Sequence, residues 1–376
     1  MRRTRNLWFQ EMKYVLLSGY YGFNNIGDEA VLGGILAGLR AELPDVEPVV
    51  LSADPAATIK LHGVSAIPRM SLRLIRERLR GASLFISGGG SLLQDVTSLQ
   101  SPFYYLGLLW LAQRAEVPTM VLAQGVGPLR HLLARMCTRR VLNRTKAITV
   151  RDEASAGLLE SLGVTVPVEV TADPSFLLEP DQSERLEEWW AANIPADRPV
   201  IGVALRQWNS PDAHDRYHAI SDALAEMALR TGALLLFIPM QAGQDLHMSE
   251  EMAGWTPAES RVLTLSLTPR EMLALTGRCD FILAMRLHTL IFAVRQGVPA
   301  FGLAYDPKVL DFCISANLPT PMLWDDITTG ALVDTLRTEW AAREALRGVL
   351  LESGARLTAK ARRNLTRVRE VLEGLR

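Results

Sequence analysis

From Lys13 onward the chain alternates short β-branched, aliphatic runs with longer stretches of helical amphipathic periodicity, and few folds accept that alternation. A helix between two strands returns the chain to the same end of the sheet, so successive strands run parallel and helices cover both faces. Strands are predicted over Tyr14–Ser18, Val46–Ser52, Leu84–Ser87, Thr119–Ala123, Ala147–Val150 and Val168–Thr171 in the first half. In the second they fall at Val200–Ala204, Ala233–Pro239, Val262–Leu265, Phe281–Met285 and Ala300–Ala304. Between the two series, Glu179 to Pro199 holds three prolines and a charged helical insert, Ser183–Asn193. The expected fold class is α/β, with two doubly wound Rossmann-like domains facing across a cleft: residues 13–180 and 200–330, joined by a linker over 181–199 and followed by C-terminal helices over 331–376. A length of 376 residues suits two such domains better than one core.

Composition narrows the partners. With 48% hydrophobic and 22% charged residues and a formal net charge of -1, the balance is that of a soluble globular chain with no signal for nucleic acid. The three cysteines, Cys137, Cys279 and Cys313, are far apart, which fits a reducing compartment and leaves no CxxC site; a cytoplasmic location is expected. Residues 1–12 are basic but carry no long apolar region, so they read as a leader without structure rather than a signal peptide. Phe103–Ala112 is apolar but too short to span a bilayer, which takes ~20 residues, and reads as a buried or interfacial helix.

The most informative stretch is Cys279–Val294. The apolar run Phe281–Met285 stops at Arg286-Leu287-His288, and helical spacing follows from Thr289 to a capping Gly297. In α/β sheets, ligands bind beyond the carboxyl ends of strands, where helix N-termini present unpaired N–H groups to anions. An Arg and a His placed there can hold an anion and move a proton. A surface salt bridge would explain the pair alone; the following strand, Ala300–Ala304, ending in Tyr305-Asp306-Pro307-Lys308, favours a site.

Several first-half strands end comparably. Ser18–Glu29 contains Gly22, Asn24, Asn25 and Gly27 and opens a helix at about Ala30; it matches neither a P-loop nor Gly-x-Gly-x-x-Gly. Ser87-Gly88-Gly89-Gly90-Ser91 and Gln124-Gly125-Val126-Gly127-Pro128 end two more strands. Tight turns account for any one of these, and three at equivalent positions point to a ligand-facing surface. Arg151 also ends a strand. It can pair with Asp152 or Glu153, or form a two-sided cationic clamp with Arg286 across a cleft. The remaining histidines lack metal-ligand spacing, and no metal site is expected.

Gly22–Glu29, Ser87–Gly90, Gln124–Pro128, Val150-Arg151-Asp152, Met285–His288 and Tyr305–Lys308, in that order, resemble the polysaccharide pyruvyl transferase family, most closely its CsaB-type cell-wall branch. The resemblance covers about Lys13 to Leu323. It implies a GT-B-like fold, phosphoenolpyruvate as donor and a 4,6-ketal of pyruvate on a sugar of a surface polymer as product. For this branch it implies an N-acetylmannosamine acceptor on a lipid-linked precursor and a role in anchoring a surface layer. It further implies that Arg151 and Arg286 hold the donor with help from Asn25, and that His288 is the general acid. Asp28 and Glu29 read equally as proton acceptors and as first-turn helix residues and stay outside the catalytic set. No cofactor is needed beyond the phosphoenolpyruvate co-substrate.

Two alternatives compete with this reading. A nucleotide-sugar glycosyltransferase of the same fold commonly holds the ribose with a second-domain glutamate, and none occurs between Glu271 and Glu339. A sugar-binding scaffold leaves Arg151, Arg286 and His288 without purpose. At the C-terminus, Leu357, Ala361, Leu365, Val368, Leu372 and Leu375 form an apolar stripe beside Lys360, Arg362, Arg363, Arg367 and Arg369. The stripe is expected to pack on the first domain. The basic residues are either solvated or make weak, reversible contact with an anionic membrane, which would place the protein peripherally at its inner face.

Overall fold

The computed structural model describes residues 13–96 and 98–374, so the basic leader over 1–12 and Leu375 lie outside the described residues. The first sheet contains β1 (Lys13–Ser18), β2 (Val46–Ser52), β3 (Ser65–Pro68), β4 (Leu84–Gly88), β5 (Thr119–Gln124), β6 (Ala147–Val150) and β7 (Val168–Val170), in the spatial order β3-β2-β1-β4-β5-β6-β7. The second contains β8 (Val200–Ala204), β9 (Leu234–Phe237), β10 (Ser260–Val262), β11 (Phe281–Ala284), β12 (Ala300–Ala304) and β13 (Met322–Leu323), ordered β10-β9-β8-β11-β12-β13. All pairings are parallel. In both sheets the order reverses beside the first strand, which opens a crevice at the carboxyl ends.

Helices α1 (Ile26–Glu42), α2 (Pro55–His62), α3 (Leu72–Leu79), α4 (Gln100–Arg114), α5 (Leu132–Leu142) and α6 (Glu153–Ser161) cover the first sheet. Helix α7 (Glu184–Asn193) occupies the connection, and α8 (Ala213–Thr231), α9 (Gln244–Trp255), α10 (Pro269–Thr276), α11 (Leu287–Gln296) and α12 (Pro307–Ala316) cover the second. The strands that sequence reasoning missed, β3 and β13, are short edge strands. Ile67 is the only buried residue of β3, so no apolar alternation announces it. Helix α1 starts at Ile26 rather than near Ala30, because Asn25 caps it by accepting from the Gly27 N–H at 3.0 Å.

In place of separate C-terminal helices over 331–376, the chain forms one helix, α13 (Thr329–Glu373), that runs past both domains. Its early turns bury Leu332 and Leu336 among second-domain residues, whereas Leu365, Val368 and Leu372 join Val15, Leu17 and α1 in the first-domain core. Asn364 is buried: its Oδ1 accepts from the Thr149 and Thr171 hydroxyls (2.7 and 2.9 Å), and its Nδ2 donates to the Ala172 carbonyl (3.1 Å). Much of the basic face is neutralised within the protein. Arg363 and Arg367 pair with Glu169, Arg367 also with Glu370, and Arg369 with Glu42. Among the described residues no helix is long and apolar enough to cross a membrane.

Candidate active site

Between the two sheets lies a cavity of about 610 Å³ whose lining comes from loops at strand carboxyl ends. The β1 loop contributes Tyr20 to Asp28, the β3 end Arg69, the β4 end Gly90 to Gln94 and the β6 end Arg151. From the second domain come Arg206 after β8, Met240 and Gln241 after β9, Arg286 to His288 after β11, and Tyr305 and Lys308 after β12. The domains touch across one edge, where Ile26 N–H donates to the Met240 carbonyl at 2.9 Å and Asn25 bridges Gln241. The cavity is thus assembled from both halves.

Arg286 occupies the N-cap position of α11, at the end of a fully buried strand. Its Nε donates to Asp245 Oδ2 at 2.9 Å and its Nη2 to Asp245 Oδ1 and, at 3.4 Å, to Gln241 Oε1. Asp245 is completely buried and also accepts from the Met240 and Gln241 N–H groups at 3.1 and 3.0 Å. This grip fixes the guanidinium plane, and Nη1 makes no hydrogen bond among the described residues. Opposite it, Arg151 donates to Ser91 Oγ at 2.8 Å and Asp173 Oδ2 at 3.3 Å, and lies 3.6 Å from Asp152. Its pairing partners therefore include Asp152, as one sequence reading had it, yet the same side chain lines the cavity. Gly125 leaves room for this placement, since a Cβ there would stand 2.9 Å from Arg151 Nη2.

His288 sits in the first turn of α11. Its Nε2 lies 3.7 Å from Asp173 Oδ2, beyond hydrogen-bond reach, and has no partner among the described residues. Gly27 lets the imidazole approach α1, because a Cβ there would meet Nδ1 at 2.2 Å. Burial, only partly opposed by Asp173, and the charges of Arg151, Lys308 and Arg286 push its pKa down to about 4. Asp173, despite its burial, is held below the ordinary carboxylate range by His288, Arg151 and hydrogen bonds from Ser175. Asn25 lines the cavity while its side-chain oxygen serves as the α1 cap, which leaves its amide N–H groups for a ligand.

Of the other groups in the site, Asp28, Tyr305 and Lys308 fall in motifs that the sequence singled out without a settled role, whereas Arg69, Arg206 and the aromatic residues Tyr20, Phe23 and Tyr104 were not assigned to a site. Asp28 lines the cavity beside Gly90; burial and Glu29, partly countered by Arg151, raise its pKa to about 7. Arg206 donates to the Tyr305 hydroxyl at 3.0 Å, and Lys308 lies 5.6 Å from that ring. Burial would raise the Tyr305 pKa, but Lys308, Arg206 and Arg286 outweigh it and lower it. At the other end, Tyr20 stacks on Phe23 with centroids 4.0 Å apart, and Arg69 lies over Phe23 and Tyr104 at 5.0 and 4.4 Å. Asp173 and Asp245 reach their partners only through folding: Asp245 lies 41 residues from Arg286 along the chain. Together the residues make a cavity with five cationic side chains, Arg69, Arg151, Arg206, Arg286 and Lys308, and one titratable carboxylate, at the N-termini of α1, α11 and α12.

A family model described as polysaccharide pyruvyl transferase matches residues 25–307, a span that includes Asn25, Arg151, Arg286 and His288. The chain belongs to that family. It is a pyruvyl transferase that modifies polysaccharide. The amylovoran biosynthesis protein AmsJ of Erwinia amylovora is 21% identical over 363 residues, covering 81% of this chain and 86% of that protein. Among solved structures, a glycosyltransferase from Rickettsia africae superposes with a TM-score of 0.64 at 13% identity, covering 96% of this chain and 99% of that one. The Anabaena protein Alr3699/HepE, in complex with UDP-glucose, gives 0.62 at 14% identity with coverages of 96% and 99%. The S. aureus MnaA complex with UDP gives 0.62 at 12% identity with 91% of each chain covered. These likenesses show that the pyruvyl transferase has the two-domain architecture of GT-B glycosyltransferases and related epimerases.

Proposed function

We propose that the enzyme transfers pyruvyl from phosphoenolpyruvate to an N-acetylmannosamine unit of a lipid-linked cell-wall polysaccharide precursor, forms a 4,6-ketal and releases phosphate. The observation that carries this reading is the cationic clamp, with Arg151 from one domain and Arg286 from the other, reinforced by Arg206 and Lys308. A carboxylate and a phosphate on a three-carbon frame need at least two such donors, and a guanidinium whose Nε and Nη2 are fixed by Asp245 keeps Nη1 oriented to donate to the anion. Although Arg151, Arg286 and Lys308 each pair with a carboxylate, the cavity lining itself presents five cationic side chains against one carboxylate, which matches a small, densely charged anion better than a neutral sugar.

The chemistry follows from the residues. His288 delivers a proton to the methylene carbon of the enol, which becomes a methyl group. One sugar hydroxyl adds to the electron-deficient central carbon and loses its proton; Asp28, with a pKa near 7, suits its removal. The second hydroxyl then displaces phosphate, which leaves with a proton. In the protein alone the imidazole is held neutral by burial and by Arg151, Lys308 and Arg286. A bound trianion offsets those charges, so donor binding raises the His288 pKa and loads the proton that it passes on. An outcome of this activity would be a pyruvylated polymer able to anchor a surface layer.

The test is to incubate the protein with phosphoenolpyruvate and a β-linked N-acetylmannosaminyl acceptor. Equimolar phosphate release is expected, with an acceptor mass gain of pyruvic acid less one water. Turnover only with a UDP-sugar in place of phosphoenolpyruvate would overturn the proposal.

A further inference from the structure

Nine of the eighteen exposed large apolar side chains among the described residues fall between Met70 and Met136. They are not scattered. The connections β3 to β4, β4 to β5 and β5 to β6 all cross the sheet in one direction, so right-handed crossovers put α3, α4 and α5 side by side on one face. Their inner sides bury Ile75, Leu79, Leu109, Ala134 and Val141 in a common core. Their outer sides present Met70 and Leu72 at the start of α3, Phe103 and Trp110 on α4, and Leu133 and Met136 on α5, with Met70 at 73% and Trp110 at 48% exposure. Phe103 and Trp110 are seven apart and share one helix face.

Charge distinguishes this face from an ordinary protein interface. Residues 69–142 contain ten arginines and three acidic residues in a chain whose formal net charge is -1. None of the ten forms an ion pair among the described residues, and Arg73, Arg76, Arg114, Arg139 and Arg140 are exposed. On α13, by contrast, Arg363, Arg367 and Arg369 are neutralised by Glu169, Glu370 and Glu42. Unpaired arginines around aromatic and aliphatic side chains match an anionic bilayer, which takes apolar groups below its headgroups and counterions at them.

We infer that the outer face of α3, α4 and α5 docks on an anionic lipid bilayer. The same α4 contributes Gln100, Ser101 and Tyr104 to the cavity, so docking brings the cleft mouth to the membrane surface, where a saccharide on a lipid carrier would enter. That consequence rests on the proposed acceptor. The docking itself does not, and it is read without donor or acceptor.

The experiment is cosedimentation of the full chain with vesicles of phosphatidylglycerol and phosphatidylcholine in equal parts, against phosphatidylcholine alone, across a salt series. Wild type should bind the mixed vesicles, bind the neutral ones weakly, and dissociate as salt rises. Trp110→Ser with Leu133→Ser should lower the partition coefficient about tenfold or more. Arg73→Gln, Arg76→Gln and Arg139→Gln together should lower it roughly a hundredfold and flatten the salt dependence. Both sets should leave the melting midpoint and turnover of a soluble acceptor unchanged, and Arg362→Gln with Arg363→Gln and Arg367→Gln should bind like wild type. The inference is overturned if wild type stays in the supernatant or if the α3–α5 variants sediment undiminished. It is equally overturned if those variants only dissociate a dimer, which would make the face a contact between copies of this chain.

Discussion

Arg286→Lys separates a specific grip from mere positive charge. Arg286, which lines the cavity, spends Nε and Nη2 on the buried Asp245 and leaves Nη1 without a hydrogen bond among the described residues. A lysine ammonium cannot both hold Asp245 and keep such a donor free: leaving Asp245 unpaired with no exposed surface is costly, so the substituted ammonium would go to Asp245. The donor then loses the charge-assisted hydrogen bonds of Nη1, a net loss of about 2–3 kcal/mol after competition with water. That converts to a ~30–150-fold rise in the dissociation constant for phosphoenolpyruvate. Calorimetric titration without acceptor measures it, and the melting midpoint should stay close to wild type because Asp245 keeps a cation. A dissociation constant within about threefold of wild type would refute the reasoning, since the contact at stake is worth more than that.

His288→Asn should lower turnover ~10²–10⁴-fold while donor binding survives, and it should abolish the part of proton uptake on donor binding that wild type shows between pH 4 and neutrality. Calorimetry in buffers of different ionisation enthalpy reads that difference, and identical uptake by both proteins removes the proton role. Asp28 has a raised pKa of about 7, so its charge opposes folding above that pH and the folded state binds the extra proton below it. Asp28→Asn should therefore melt higher than wild type at pH 8, with the gap closing as pH falls towards 4, and be slower in turnover; a lower midpoint at pH 8 contradicts the burial argument. Gly27→Ala places a methyl group 2.2 Å from His288 Nδ1 and 2.7 Å from its Cγ, so the imidazole must move, and should cut turnover by ~10²-fold and lower the melting midpoint. Asn364→Leu leaves the Thr149 hydroxyl without its acceptor and the Ala172 carbonyl without its donor, while Thr171 keeps the Val150 carbonyl, and should cost about 2–4 kcal/mol in denaturant unfolding.

Much of the architecture and part of the site were legible in the order of residues, for reasons that are local. Strands buried on both faces must be apolar runs, so β1, β5, β8, β11 and β12 announce themselves, and a polar residue just beyond such a run sits at a carboxyl end whatever the rest of the chain does. Arg151, Arg286 and His288 were singled out that way, and Asn25 by the glycine-bearing turn around it, and the folded chain brings all four to the lining of one cavity. Edge strands β3 and β13 escape because each is half solvated and needs no full apolar pattern.

What tertiary structure decided is everything that depends on which side chains meet. Asp245 and Asp173 look like ordinary acidic residues until folding sets them beneath Arg286 and between Arg151 and His288. The direction of the His288 and Asp28 shifts follows from burial and from charges distant in sequence, and composition carries neither. The stripe on α13 was expected to pack on the first domain, with its basic residues either solvated or in weak contact with a membrane, and ion pairs with Glu169, Glu370 and Glu42 neutralise three of its arginines. Phe103 and Trp110 read as part of a buried or interfacial helix, and only the crossover geometry turns them outward beside unpaired arginines. A strand advertises its burial in its own residues, but a pair of charges acquires its energy from a distance that only the folded chain sets.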